Sequence, residues 1–295
     1  MQLSGLDYLA VAGASLAAGM VNALAGGGTL ISFPTLVGIG VPAVPANVTN
    51  TVALLPGYLG GSWAQRDDLR PQLGDARVLA ATGAVGGLAG SVLLVMIPPQ
   101  AFRLAVPYLI VASCLLLLGQ ERARSFVGVA APAPGSPGAG VGQSGTDQPG
   151  VDPPGVGADT DAGAVASAQP APTRPGAPGL HPALAISVFA AAVYGGFFGA
   201  GLGIVLLAVL GLFHAGPLAR VNALKQALSF VINVVAAVFF AFSGHVRWQL
   251  VPVMAAASIL GGFAGGRLAG RISGDMLRKL VVVAGLGAAA ALWAA

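Results

Sequence analysis

The feature that most restricts this chain is a series of apolar runs long enough to cross a lipid bilayer. They cover residues 46–64, 78–97 and 102–119 in the first half, then 223–242, 250–266 and 277–295 in the second. A helix needs roughly 20 predominantly apolar residues to span the hydrocarbon core. Charged residues make up only 8% of the chain, whereas a soluble domain carries about 25% and needs them to cover its water-facing surface. A β-barrel would show short alternating segments instead of long uniform runs. The expected fold is therefore all-α and polytopic. The start, "MQLSGLDYLAVAGAS", lacks the positive n-region of a signal peptide.

Residues 120–181 differ from the rest. They are Pro-, Gly- and Ala-rich, aperiodic and poor in bulky apolar side chains, so they bury too little to offset the entropy of ordering. The expected organisation is a first membrane repeat over 1–119, a disordered cytoplasmic linker over 120–181 and a second membrane repeat over 182–295. The flanking halves match each other at an offset of 175: Gly26 and Gly28 fall on Gly201 and Gly203, Asn47 on Asn222, and Gly86, Gly87 and Gly90 on Gly261, Gly262 and Gly265. Internal duplication is common in secondary transporters.

The distribution of Lys and Arg bears on orientation, because basic residues collect in cytoplasmic loops. If segments 7–36 and 183–213 each cross once, the 14 basic residues divide evenly, seven to a side. If each enters and returns on its own side, only Arg103 and Arg247 fall on one side and the other twelve face them. Each half then holds a re-entrant hairpin plus three spans, about eight membrane segments in all. An odd number of crossings per half inverts the second repeat relative to the first.

Both hairpins would bend at glycines, in "LAGGGTLI" (24–31) and "FFGAGLGIV" (197–205). Each interior glycine costs about 1 kcal/mol of helix stability relative to alanine, and broken backbone at membrane depth survives only inside protein or along a cavity. A half-helix starting after each break points its N–H groups and positive dipole end at the gap, which suits an anion. Gly26, Gly27, Gly28, Gly199, Gly201 and Gly203 are the candidate backbone contacts, with Asn22 beside the first group. Gly83, Gly86, Gly87 and Gly90, and Gly261, Gly262, Gly265, Gly266 and Gly270, recur every three or four residues along unbroken helices. That spacing is the pattern of close helix packing.

The next span in each half opens with polar residues: Asn47, Thr49, Asn50 and Thr51 in the first, and Asn222, Lys225, Gln226, Ser229 and Asn233 in the second. The second set forms one helical stripe. Amides and hydroxyls at membrane depth are costly unless they face a partner or a cavity. Lys225 has two readings, a side chain snorkelling to the headgroups or a counter-charge for an anion. The acidic residues all fall in termini or connections, which argues against an intramembrane proton relay and against a cation site.

The glycines lack the GK[ST] of a phosphate loop. His181, His214 and His245 show no metal spacing, and the single Cys114 leaves no disulfide framework. No enzyme, cofactor or metal is expected. The expected partners are a small anionic substrate and the bilayer, with no nucleic acid, and a homo-oligomer is among the allowed assemblies. Within membrane proteins the competing readings are an uncoupled anion channel or facilitator, and a non-transporting scaffold whose linker recruits a partner.

"AGMVNALAGGGTLISFPTLVGIGVPAVPANVTNTVALLPG" in the first half, and "YGGFFGAGLGIVLLAVLGL", "VNALKQALSFVIN" and "GHVRW" in the second, resemble the sulfite exporter TauE/SafE-like membrane proteins. The resemblance spans the chain outside the linker. It implies a multi-pass protein of the bacterial cytoplasmic membrane that exports sulfite or an organosulfonate.

Overall fold

The computed structural model describes residues 3–24, 27–64, 66–126, 182–213, 218–268 and 274–294. All regular structure among them is helical. The first half holds α1 (Gly5–Leu24), α2 (Thr29–Gly38), α3 (Ala43–Ala64), the short α4 (Arg66–Leu69), a 3₁₀ turn (Arg70–Gln72), α5 (Leu73–Met96) and α6 (Pro99–Phe126). The second holds α7 (Pro182–Phe197), α8 (Leu202–Phe213), α9 (Leu218–Ala241), α10 (Val251–Leu268) and α11 (Gly274–Ala294).

Local chemistry sets several of these ends. Ser4 and Asp7 form a reciprocal cap at α1: the Ser4 N–H donates to Asp7 Oδ2 at 2.7 Å and the Asp7 N–H to Ser4 Oγ at 3.3 Å. α6 runs on through "QERARSF" to Phe126, so the helix takes in the opening residues of the segment read as linker. Glu, Arg and Gln are good helix formers and prolong the preceding apolar helix. The remainder of the expected linker, 127–181, lies outside the described residues.

Among the described residues three stretches, Arg66–Met96, Pro99–Gly119 and Arg220–Ala241, are long and apolar enough to cross a membrane. Their outward side chains are apolar too: Val85, Leu104, Leu115 and Val238 are all exposed. That is the inverse of a soluble surface and matches contact with acyl chains. Multiple passes through a membrane follow.

Two apolar cores form inside. The larger joins α1, α2, α3, α6, α10 and α11, and takes in Leu94 of α5, Ile204 of α8 and Ala236 and Phe240 of α9, around residues such as Phe33, Leu36, Phe102, Ile110 and Val281. The smaller joins α5, α7, α8 and α9 through Leu79, Val188, Leu206, Leu228 and Ile232.

The expected close helix packing is present at named glycines. A Cβ on Gly90 would strike the Val193 carbonyl, and one on Gly196 the Gly87 carbonyl, which brings α5 and α7 into backbone contact. A Cβ on Gly86 would stand 2.7 Å from Phe189 O in the same seam, and one on Gly83 or Gly87 would stand 3.3 or 3.1 Å from the Ile232 side chain of α9. Gly19 and Gly261 make the matching contact of α1 with α10, against Ser258 and Leu16 backbone respectively. Gly262 departs from the expectation: a Cβ there would meet nothing within 4 Å. It is one residue round the helix from Gly261, so it is turned about 100° away from the seam. Gly270 lies outside the described residues.

Candidate functional site

Both glycine clusters break a helix. After α1 ends at Leu24 the chain turns back on itself, with Gly27 at φ 112°. A Cβ on Gly28 would strike the Ala18 carbonyl, so the start of α2 lies directly against α1. Asn22 holds this turn. Its Oδ1 accepts from the Gly27 N–H at 3.2 Å and the Gly28 N–H at 2.8 Å, supplying an acceptor for backbone donors that a helix start leaves without one. The oxygen of Asn22 is thus occupied by the chain's own backbone. Gly26 lies outside the described residues.

The second break is held by different means. The helix before this break ends on Phe197, which has no acceptor in its side chain. Gly199 and Gly201 sit at φ 73° and 76°, conformations that cost glycine little. The Tyr194 hydroxyl donates to the Ala200 carbonyl at 2.5 Å. Ser113 of α6 reaches the same carbonyl at 3.1 Å and the Tyr194 hydroxyl at 2.8 Å. Sequence reasoning missed Ser113 and Tyr194; their signal was a polar group inside an otherwise apolar run. Because either hydroxyl can serve Ala200, Ser113→Ala and Tyr194→Phe should each cost about 1 kcal/mol. The double variant should cost more than their sum, since it strands a buried carbonyl. Thermal unfolding of the four proteins in detergent checks this.

The polar starts of α3 and α9 lie among these breaks. Asn47 Nδ2 donates to the Phe197 carbonyl at 3.0 Å, tying α3 to the second break. Lys225 is half-buried, and its Cδ lies 3.9 Å from where a Cβ of Gly203 would stand, so its stem runs along the start of α8. Other candidates engage elsewhere. Thr49 Oγ1 accepts from the Arg247 N–H at 2.9 Å, Thr51 Oγ1 donates to Asn47 O at 3.0 Å, and Asn233 Nδ2 donates to Ser229 O at 2.7 Å. Asn222 and Gln226 are half-buried on the same helix.

Asn47 Oδ1, Asn50 Oδ1 and Ser229 Oγ are buried with no hydrogen-bond partner. Each such group costs about 1–3 kcal/mol when left unpaired. Polar residues at these positions are not explained by packing alone.

Among the described residues no three His, Cys, Asp or Glu side chains gather to hold a metal. A cleft of about 480 Å³ between α6 and α8 is lined by Ala112, Leu115, Leu116, Gly119, Ile204 and Ala208. That lining offers no polar side chain to a charged solute.

Residues 11–292 match the family described as Sulfite exporter TauE/SafE. The chain belongs to the sulfite exporter TauE/SafE family. A protein of Haemophilus influenzae named "Probable membrane transporter protein" is 25% identical to it over 285 residues, covering 95% of this chain and 92% of that one. No solved structure matches. The TauE/SafE match takes in both helix breaks and both polar helix starts, and it makes the protein a membrane transporter and not an enzyme.

Proposed function

We propose that this TauE/SafE protein is a secondary transporter of the bacterial cytoplasmic membrane that exports a small anion, such as sulfite or an organosulfonate, by alternating access. The observation that carries the reading is the convergence on the second break: Lys225 runs beside Gly203 while Asn47 ties to Phe197. A cationic side chain beside the start of a half-helix presents two positive ends to one place, which favours an anion. The absence of carboxylates from the middle of the apolar runs supports the same sign.

The proposed architecture is a pair of inverted repeats, each with a broken hairpin and three spans, joined by a cytoplasmic linker. Its support is the order of elements. At an offset of 175 the starts of α3 and α6 fall on those of α9 and α11, and the break after α1 falls near the break after α7. The packing follows the same exchange: α1 against α10 corresponds to α7 against α5, and α3 against α9 corresponds to itself. A reporter fused within the linker should read cytoplasmic, and a periplasmic signal would sink the inverted arrangement.

Flux of sulfite and short alkylsulfonates into proteoliposomes tests the function. Saturable flux that Lys225→Ala lowers at least tenfold, the equivalent of about 1.4 kcal/mol, is the expected result. Saturable flux unchanged by the substitution returns Lys225 to a snorkelling role. Absence of flux for every sulfur anion tried rejects the substrate class.

A further inference from the structure

The two sequence repeats suggest two moving bodies, one per half. The packing argues for a different division. Among the described residues the most extensive helix contacts join α1 to α10 and α5 to α7, each pairing one half with the other. Both are made backbone to backbone at glycine. Gly19 and Gly261 close on Ser258 and Leu16 in one, and Gly90 and Gly196 close on Val193 and Gly87 in the other. Contacts this close leave no side-chain layer between the helices that could repack during a slide. The smaller apolar core gives the same grouping: it contains α5 of the first half together with α7, α8 and α9 of the second.

The seam between α3 and α9 is of another kind. Of the four buried side-chain oxygens without a hydrogen-bond partner among the described residues, three lie on these two helices, Asn47 and Asn50 on α3 and Ser229 on α9, and the fourth, Ser15, is on α1. Unpaired oxygens penalise the closed arrangement, and water entering on opening would satisfy them. The polar stripe of α9 through Ser229 and Asn233 is set about 100° round the helix from the apolar stripe Val221, Leu224, Leu228 and Ile232 that binds α9 into the smaller core. One face of α9 is therefore fixed, and the face beside it is able to hydrate.

We infer that the rigid bodies of this transporter are not its sequence halves but two exchanged bundles, α1–α3–α10 and α5–α7–α8–α9, which part along the α3/α9 seam. α5 and α10 each travel with the opposite repeat. This rests on the alternating-access reading above. The exchange explains why the glycine series lies on α5 and α10: these are the helices that lock onto a broken-hairpin helix of the other half.

Two cysteine pairs separate the alternatives, each in a Cys114→Ser background. A Cβ on Gly57 of α3 lies 4.0 Å from Ser258 Oγ of α10, and a Cβ on Gly83 of α5 lies 3.3 Å from Ile232 Cγ1 of α9. Gly57→Cys with Ser258→Cys, and Gly83→Cys with Ile232→Cys, can thus be oxidised to disulfides. Each pair joins the two sequence halves but stays within one proposed body. Flux in proteoliposomes should be the same before and after oxidation, with disulfide formation verified by loss of free thiol. Flux lost on oxidation and restored by reductant would overturn the proposal in favour of half-against-half motion. The reduced proteins report on the underlying reading separately, because a reduced pair and parent that both fail to transport reject alternating access of these anions. As a second measurement, Ser229→Cys should become reactive to a water-soluble maleimide during turnover while Ile232→Cys stays protected. Equal protection of both would also overturn the seam.

Discussion

Gly261→Ala is expected to prevent the membrane domain from assembling, whereas Gly262→Ala one position along should be tolerated. The two glycines share a helix, a composition and a lipid environment, and they differ in what a methyl group would meet. At Gly261 the new Cβ falls on the Leu16 carbonyl of α1. That obstacle is helix backbone, which cannot rotate out of the way as a side chain can. α1 and α10 must separate along their length, and the contact of Gly19 with Ser258 goes with it. Overpacking usually costs about 1–3 kcal/mol, occasionally more, and a backbone obstacle puts this case at the upper end or beyond. At Gly262 nothing lies within 4 Å, and alanine gains up to about 1 kcal/mol of helix propensity. Monodisperse yield and thermal unfolding in detergent distinguish the two. Equal stability of the variants would mean that α1 and α10 are not in backbone contact. Gly196→Ala on α7 should behave as Gly261→Ala does, since its Cβ would meet the Gly87 carbonyl.

The second large effect is expected at Asn22. Asn22→Ala removes the acceptor of two N–H groups, those of Gly27 and Gly28, both of which belong to buried residues. Leaving a buried donor unpaired costs about 1–3 kcal/mol for each group, so the first break should lose its fixed geometry and α2 its start. Asn22→Asp separates this role from ligand binding. A carboxylate keeps the acceptor and is favoured at a helix N-terminus, so the folded protein should retain its thermal stability. Under the anion reading, the same negative charge should depress flux. If Asn22→Ala proves as stable as the parent, the cap is not what holds the break. If Asn22→Asp is stable and transports normally, no anion passes near α2.

Much of the architecture could be read from the residues. Spans came from runs of apolar side chains, because a bilayer admits little else at that length. The helix breaks were legible at Gly27 and Gly28 and at Gly199 and Gly201, since clustered glycine next to a polar residue has no use inside a continuous helix. The start of the second polar helix was legible as a stripe, because α9 places Asn222, Lys225, Ser229 and Asn233 at helical spacing. The residues that hold the breaks were legible only in part. Asn22 stood out by type, but the carbonyl oxygen it presents is engaged locally at Gly28. Ser113 lies 81 positions before Tyr194 in the chain, and no local pattern links them.

Sequence alone determined that this protein is a bundle of membrane helices, that two of its segments are broken at glycine clusters, and that one apolar helix carries a polar stripe. Those properties are written in the order of apolar, glycine and polar residues along a single segment. Tertiary structure alone decided which helix meets which. In a bilayer, the face turned to lipid and the face turned to a neighbouring helix are both apolar, so periodicity does not distinguish them. The choice rests on shape: a carbonyl seated where Gly196 or Gly261 leaves room, and a hydroxyl of α6 reaching Ala200 across the other half. For that reason the pairing of α1 with α10 and of α5 with α7 emerged only from the packed chain.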